Sequence, residues 1–252
     1  LIDECRELFG EIYEQIPELP FCNIWTAMQL SSRLPKGALF HMGVSNTRRC
    51  WNMFQLPESV ESACNVGCCG IDGCVSTLVG ASLVNPDRLC YVVVGDLTFF
   101  YDLNSLGNHH IGTNLRVMLV NNGRGTEFRL GIHHCNVFGD DADKYMAAAG
   151  HFGNKSPLLV KHYAEDLGFH YLSATTKEEF MTALSNFTNP QLSDHSMILE
   201  VFTDSKDESE ALYLMSHIQS DAKGMVRSKL KDAVRNVAGE KGINAIKKIL
   251  KK

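Results

Sequence analysis

The spacing of hydrophobic positions along this chain changes several times, and each change marks an element. Leu1, Cys5, Leu8, Phe9, Ile12 and Ile16 recur at the spacing of one helix face, so the chain is expected to open on an amphipathic helix. Residues 38–42 form a short apolar run before the polar stretch 43–49, which reads as strand and then loop. A further loop is expected over 65–72. The small and apolar residues of 73–84 suit a closely packed helix, and 89–94 is an unbroken apolar run between turn residues, the pattern of a buried strand.

The alternation continues with a helix from about Thr98, a strand over 115–120, a helix over 158–167, a strand over 169–172, a helix over 177–187 and a strand over 196–201. Strands apolar on both faces belong to parallel sheets covered by helices on each side. The expected fold is therefore α/β, doubly wound, with a mainly parallel sheet. In such sheets ligands bind beyond the carboxyl ends of the strands, where the strand order reverses. The residues just after Val94 and Val120 are thus the places to search.

From about residue 206 the composition shifts. Lys223, Arg227, Lys229, Lys231, Arg235, Lys247 and Lys248 alternate with Met225, Val226, Leu230, Val234, Ile243 and Ile246, which predicts a basic amphipathic helical tail over 206–252 after a main domain over 1–205. Such a helix can lie on a membrane, but packing against the protein with a solvated basic face is the preferred reading. The chain starts at Leu1 directly in a helical pattern, which is expected of a piece of a longer protein.

Composition narrows the function classes. The 252 residues are 44% hydrophobic, enough for a substantial core, and the net charge of -5 argues against nucleic-acid binding, which leaves a basic footprint. No apolar run is long enough to span a bilayer. Nine cysteines, an odd count without a signal-peptide pattern, read as reduced thiols of a cytoplasmic protein. The group Cys64, Cys68, Cys69 and Cys74 lacks a second cluster at zinc-ligand spacing and reads as packing residues near a turn.

Two loops carry the candidate chemistry. Gly95-Asp96-Leu97-Thr98 and Asn121-Asn122-Gly123-Arg124-Gly125 each follow an expected strand. Asp96 and Asn122 offer the oxygen donors a small hard cation prefers, and Leu97 and Thr98 open a helix whose amides can face a phosphate. Gly95 is expected to permit a tight turn at the strand end. Taken singly, an Asp after a strand is a helix cap and Asn-Asn-Gly is a turn.

Together, Gly-Asp followed about 25 residues later by Asn-Asn resembles the cofactor motif of thiamine-diphosphate enzymes. Gly70-Ile71-Asp72-Gly73, Ser76-Thr77 and the run from Gly95 to Asn104 resemble one branch, the 2-succinyl-5-enolpyruvyl-6-hydroxy-3-cyclohexene-1-carboxylate synthases of menaquinone biosynthesis. The resemblance is specific over about residues 43–128 and weaker to about 201. It implies that the chain is the cofactor-binding domain of a decarboxylase and carboligase. It further implies that Asp96, Asn122 and the Arg124 carbonyl hold Mg²⁺ or Mn²⁺. Leu97 and Thr98, with Asn46 and Thr47, would contact the diphosphate. Ile71 would support the bent cofactor, and the Cys69 carbonyl would accept from its amino group. Asp72 has an alternative reading as the N-cap of the helix after Gly73.

The same resemblance implies that no catalytic side chain lies in this segment. The activating glutamate would come from a separate pyrimidine-binding domain of a neighbouring subunit, in a homodimer or tetramer, so the segment alone would be inactive. The substrates would be a small-molecule 2-oxoacid and an acceptor. Two departures bear on them: Val66 stands where the family has an arginine, and Glu127 stands near an apolar position before Phe128. Arg48, Arg49 or Arg124 are candidate replacements for the lost arginine, and His133 and His134 are candidate substrate contacts. One alternative is a divergent carboligase that uses another 2-oxoacid, such as pyruvate, in surface-polysaccharide synthesis. Another is a non-catalytic cofactor-domain subunit.

Overall fold

The structure, a computed structural model, describes residues 2–67, 69–130, 133–146 and 156–218. Its six strands are β1 (Leu39–Met42), β2 (Glu61–Cys64), β3 (Cys90–Gly95), β4 (Leu115–Asn121), β5 (His170–Ala174) and β6 (Met197–Phe202). All pair in parallel, in the order β2-β1-β3-β4-β6-β5. The helices are α1 (Ile2–Glu14), α2 (Asn23–Leu30), α3 (Asn46–Trp51), α4 (Cys74–Leu83), α5 (Asp96–Tyr101), α6 (Ala142–Tyr145), α7 (Leu159–Asp166), α8 (Lys177–Phe187) and α9 (Ser205–Ser216). The fold is α/β, with helices flanking a parallel sheet.

Burial on both faces explains why the central strands are apolar throughout. Side chains alternate across the sheet, so Tyr91 and Val93 of β3 join Met118, Val120, Leu199 and Val201 in one core, with α2, α3, α8 and α9. Cys90, Val92 and Val94 join Leu115, Val117 and Leu119 in the other, with α4, α5 and α7. α9 contributes Ala211, Leu212 and Met215 to the first core. The basic residues of the tail from 219 onward lie outside the described residues. No described helix is long and apolar enough to cross a membrane.

The strands expected from the hydrophobic runs form within a residue or two. β2 has no sequence signal because it is an edge strand whose first three residues are exposed. α2 has none because it is buried on nearly all sides and shows no stripe. The stretch 43–49, expected as loop, gives way to α3 at Asn46, since Cys50 and Trp51 anchor that turn in the core. α5 begins at Asp96, two residues before the expected start.

Asp72 does not cap α4. Gly73 is the N-cap, in the left-handed region at φ 81°, and the Ser76 N–H in the first turn donates instead to Asp102 Oδ2 at 2.6 Å. The end of β1 approaches β3 closely: Gly43 N–H donates to the Val93 carbonyl at 2.7 Å, and a Cβ at Gly43 would lie 3.1 Å from that oxygen. The close approach leaves little room for a side chain at Gly43, at the point where the strand order reverses.

Candidate functional site

From β1 the chain moves outward to β2, then returns to the other side of β1 as β3 and proceeds to β4. The strand order therefore reverses between β1 and β3, and the carboxyl ends of these strands diverge into separate loops. A cleft of about 360 Å³ opens there. That volume lies in the range of small-molecule sites.

The start of α3 brings Asn46, Thr47, Arg48 and Arg49 to the cleft, and the loop after β2 brings Cys69 and Ile71. From the end of β3 come Gly95, Asp96, Leu97 and Thr98, and from the loop after β4 come Asn122, Arg124, Glu127 and Phe128. His133 and His134 are absent from the lining. His133 Nδ1 accepts the Cys135 N–H at 3.1 Å and caps the following 3-10 turn, while its ring meets Phe128 edge-on at 5.1 Å. His134 is exposed.

Asp96 is the pivot between the loops after β3 and β4. Its side chain is buried, with Oδ1 accepting the Leu97 N–H at 2.7 Å and Oδ2 accepting the Gly123 N–H at 2.6 Å. Leu97 thus directs its amide to Asp96. Gly123 sits at φ 81°, a conformation that suits glycine. Asn122 Oδ1 accepts the Arg124 N–H at 3.2 Å, a local turn that fixes the direction of the Arg124 peptide. Among the described residues no group of three or more His, Cys, Asp or Glu side chains converges as metal ligands. The donors available here are a carboxylate, an amide oxygen and a backbone carbonyl.

Gly95 does not serve as a tight turn. Its backbone is extended at φ -78° and ψ 167°, and a Cβ added there would meet no protein atom within 4 Å. The fold itself makes no demand for glycine at this position, although the residue lines the cleft.

At the other side of the cleft, Glu127 Oε2 accepts from both the Ser45 hydroxyl and Arg49 Nη1, and the same Arg49 nitrogen donates to Asn46 Oδ1 at 3.0 Å. Burial alone would raise the Glu127 pKa, but the Arg49 and Ser45 bonds outweigh it and hold the carboxyl below its usual range. Ser45 is a non-glycine residue at φ 66°. Arg124 Nη1 lies 4.0 Å from Asp143 Oδ2. Arg48 makes no ion pair among the described residues.

Several lining residues carry no signal in the sequence. Glu208 of α9 is 7% exposed, lines the cleft, and through Oε1 accepts the Thr203 hydroxyl at 2.6 Å and the Asn23 N–H at 3.0 Å. Asn23 in turn accepts the Trp51 indole N–H at 2.9 Å, which links Glu208 to the base of α3. Burial pushes the Glu208 carboxyl up to about 7, aided by the charges of Asp96 and Asp207 and opposed by its two hydrogen bonds. On β6, Glu200 accepts from Asn121 Nδ2 and the Tyr171 hydroxyl, both at 2.7 Å, and burial raises its pKa. Thr126 lines the cleft with a buried hydroxyl that has no hydrogen-bond partner among the described residues.

Cys22, Cys50, Cys64, Cys69, Cys74, Cys90 and Cys135 are free thiols. Burial raises the Cys22 pKa to about 12 and that of Cys90 to about 11, so these thiols stay protonated at neutral pH and act as packing groups. Cys68 lies outside the described residues.

No family model matches the chain. Over 196 residues it is 34% identical to the 2-succinyl-5-enolpyruvyl-6-hydroxy-3-cyclohexene-1-carboxylate synthase of Bacteroides fragilis, covering 78% of this chain and 34% of that protein. The synthase of the same name from Phocaeicola vulgatus is 34% identical over 200 residues, with 78% and 34% covered. That from Christiangramia forsetii is 33% identical over 199 residues, with 79% and 33% covered. The chain spans about a third of the length of these curated relatives. It is homologous, over some three quarters of its own length, to 2-succinyl-5-enolpyruvyl-6-hydroxy-3-cyclohexene-1-carboxylate synthases.

Proposed function

We propose that this chain is the domain that holds thiamine diphosphate and a divalent cation, Mg²⁺ or Mn²⁺, in a 2-oxoacid decarboxylase and carboligase. One observation carries the reading: Asp96 and Asn122, the residues that directly follow the neighbouring strands β3 and β4, line one cleft at the point where the strand order reverses. In this reading Asp96, Asn122 and the Arg124 carbonyl hold the cation. Three oxygen donors suit a small hard ion. The bonds from Leu97 and Gly123 set the direction of the Asp96 carboxylate before the ion arrives.

Gly95 adds support, because a diphosphate lying against the strand end gives this glycine the reason that the protein alone does not supply. Thr98 and Leu97 would flank the diphosphate, with Asn46 and Thr47 opposite. Ile71 would support the ring system, and the Cys69 carbonyl would accept its amino group. When bound, the cofactor supplies the decarboxylation of a 2-oxoacid and the transfer of the remaining fragment to an acceptor. The activating glutamate would come from a pyrimidine-binding domain of a neighbouring subunit, so the working enzyme is at least a homodimer and residues 1–252 alone are inactive.

Titration calorimetry of the full-length protein tests this. Thiamine diphosphate should bind with Mg²⁺ present and fail to bind in chelator, and Asp96→Ala should abolish the metal-dependent heat. A wild-type protein that does not bind, or an Asp96→Ala variant that binds as wild type does, removes the reading.

A further inference from the structure

We infer that Glu127 restricts this cleft to 2-oxoacids with a single carboxylate, because it already engages the arginine that a second carboxylate would need. The inference rests on the cofactor reading above and names the substrate class for the same cleft.

Three guanidinium groups line the cleft. Arg49 is paired with Glu127, and Arg124 lies beside Asp143. Arg48, without an ion pair among the described residues, is left to meet one carboxylate. Val66, where the resemblance implies an arginine, is 44% exposed and outside the lining.

The Glu127 contact is built into the frame of the site. It joins the loop after β4 to the loop after β1, spanning the end of β3 between them. Ser45, at positive φ, is one of its donors, and a non-glycine residue held in that region at a site points to a constraint the surroundings impose. Ionised at neutral pH, Glu127 compensates the Arg49 charge. A dicarboxylate reaching Arg49 would set two carboxylates against one guanidinium, and like charges brought together at a binding site cost affinity. A 2-oxoacid with an apolar or small remainder meets no such opposition.

Titration of the full-length protein with pyruvate and with 2-oxoglutarate tests the inference without turnover. Wild type should bind 2-oxoglutarate no more tightly than pyruvate. Glu127→Gln keeps the shape and removes the charge, and should tighten 2-oxoglutarate by at least about tenfold while moving pyruvate by less than about threefold. Adding Arg49→Ala to Glu127→Gln should erase that gain, and Glu127→Ala should reproduce it if the glutamine disturbs the loop. A wild-type preference for 2-oxoglutarate of about tenfold or more overturns the inference. So does a ratio of the two affinities that no Glu127 variant moves, including absence of binding throughout. A parallel titration with thiamine diphosphate and Mg²⁺ keeps the two claims apart. Bound cofactor with an unmoved acid ratio sinks the Glu127 inference alone, and a shifted ratio without bound cofactor sinks the cofactor reading alone.

Discussion

The Asp96 carboxylate accepts the Gly123 backbone N–H at 2.6 Å, and this one bond ties the loop after β3 to the loop after β4. It fixes where Asn122 and the Arg124 carbonyl stand relative to Asp96.

Gly123→Ala should weaken both fold and site. At φ 81° an alanine costs about 1–2 kcal/mol, and any relaxation of the backbone moves the donor away from Asp96. Denaturant unfolding should show a loss of that size, together with weaker metal-dependent cofactor binding. Unchanged stability would mean that the loop adopts another conformation.

Gly95→Ala should separate fold from site. No protein atom lies within 4 Å of the added Cβ and the backbone is extended, so stability should stay within about 0.5 kcal/mol of wild type. Cofactor affinity should nevertheless fall, because the methyl group enters the cleft. If affinity is unaffected, the diphosphate does not lie against this strand end.

Glu208 should make stability depend on pH near neutrality. Its folded pKa, about 7, is raised above the ordinary carboxylate value of 4.5, so the neutral form favours the folded state at low pH and that contribution is lost as pH rises through 7. Cys22, Cys50, Asp96 and Asp207 are the titratable groups coupled to it, and the acids among them raise its pKa further. Glu208→Gln keeps an acceptor for Thr203 and Asn23 without the charge. Relative to wild type it should gain stability on the order of 3 kcal/mol between pH 5 and pH 8. A difference between the two proteins that is the same at both pH values would show that Glu208 ionises in the folded protein as it does in the unfolded chain.

The parts of the site that were legible in the sequence are those placed by sheet topology. Asp96 and Asn122 each follow a buried apolar strand, and parallel pairing of adjacent strands brings their ends together whatever the remaining chain does. Ser45 and Glu127 are 82 positions apart, and Asn23 and Glu208 are 185 apart, so only the folded chain reveals these contacts. Glu208 lies among Ser205, Asp207, Ser209 and Glu210, and in sequence it looks like part of a solvated helix face. The expected role of Gly95 as a turn failed for a related reason. Glycine in a motif signals a missing side chain, and the sequence alone does not say whether backbone conformation or an incoming ligand requires its absence.

A crystal structure of the full-length protein with thiamine diphosphate and Mg²⁺ is the most direct test of a cation site at Asp96, Asn122 and the Arg124 carbonyl. The expected result is one octahedral ion with an Asp96 oxygen, Asn122 Oδ1 and the Arg124 carbonyl oxygen at about 2.0–2.1 Å, completed by diphosphate oxygens and water. A cofactor bound elsewhere, or an ion that leaves Asp96 or Asn122 uncoordinated, would contradict it.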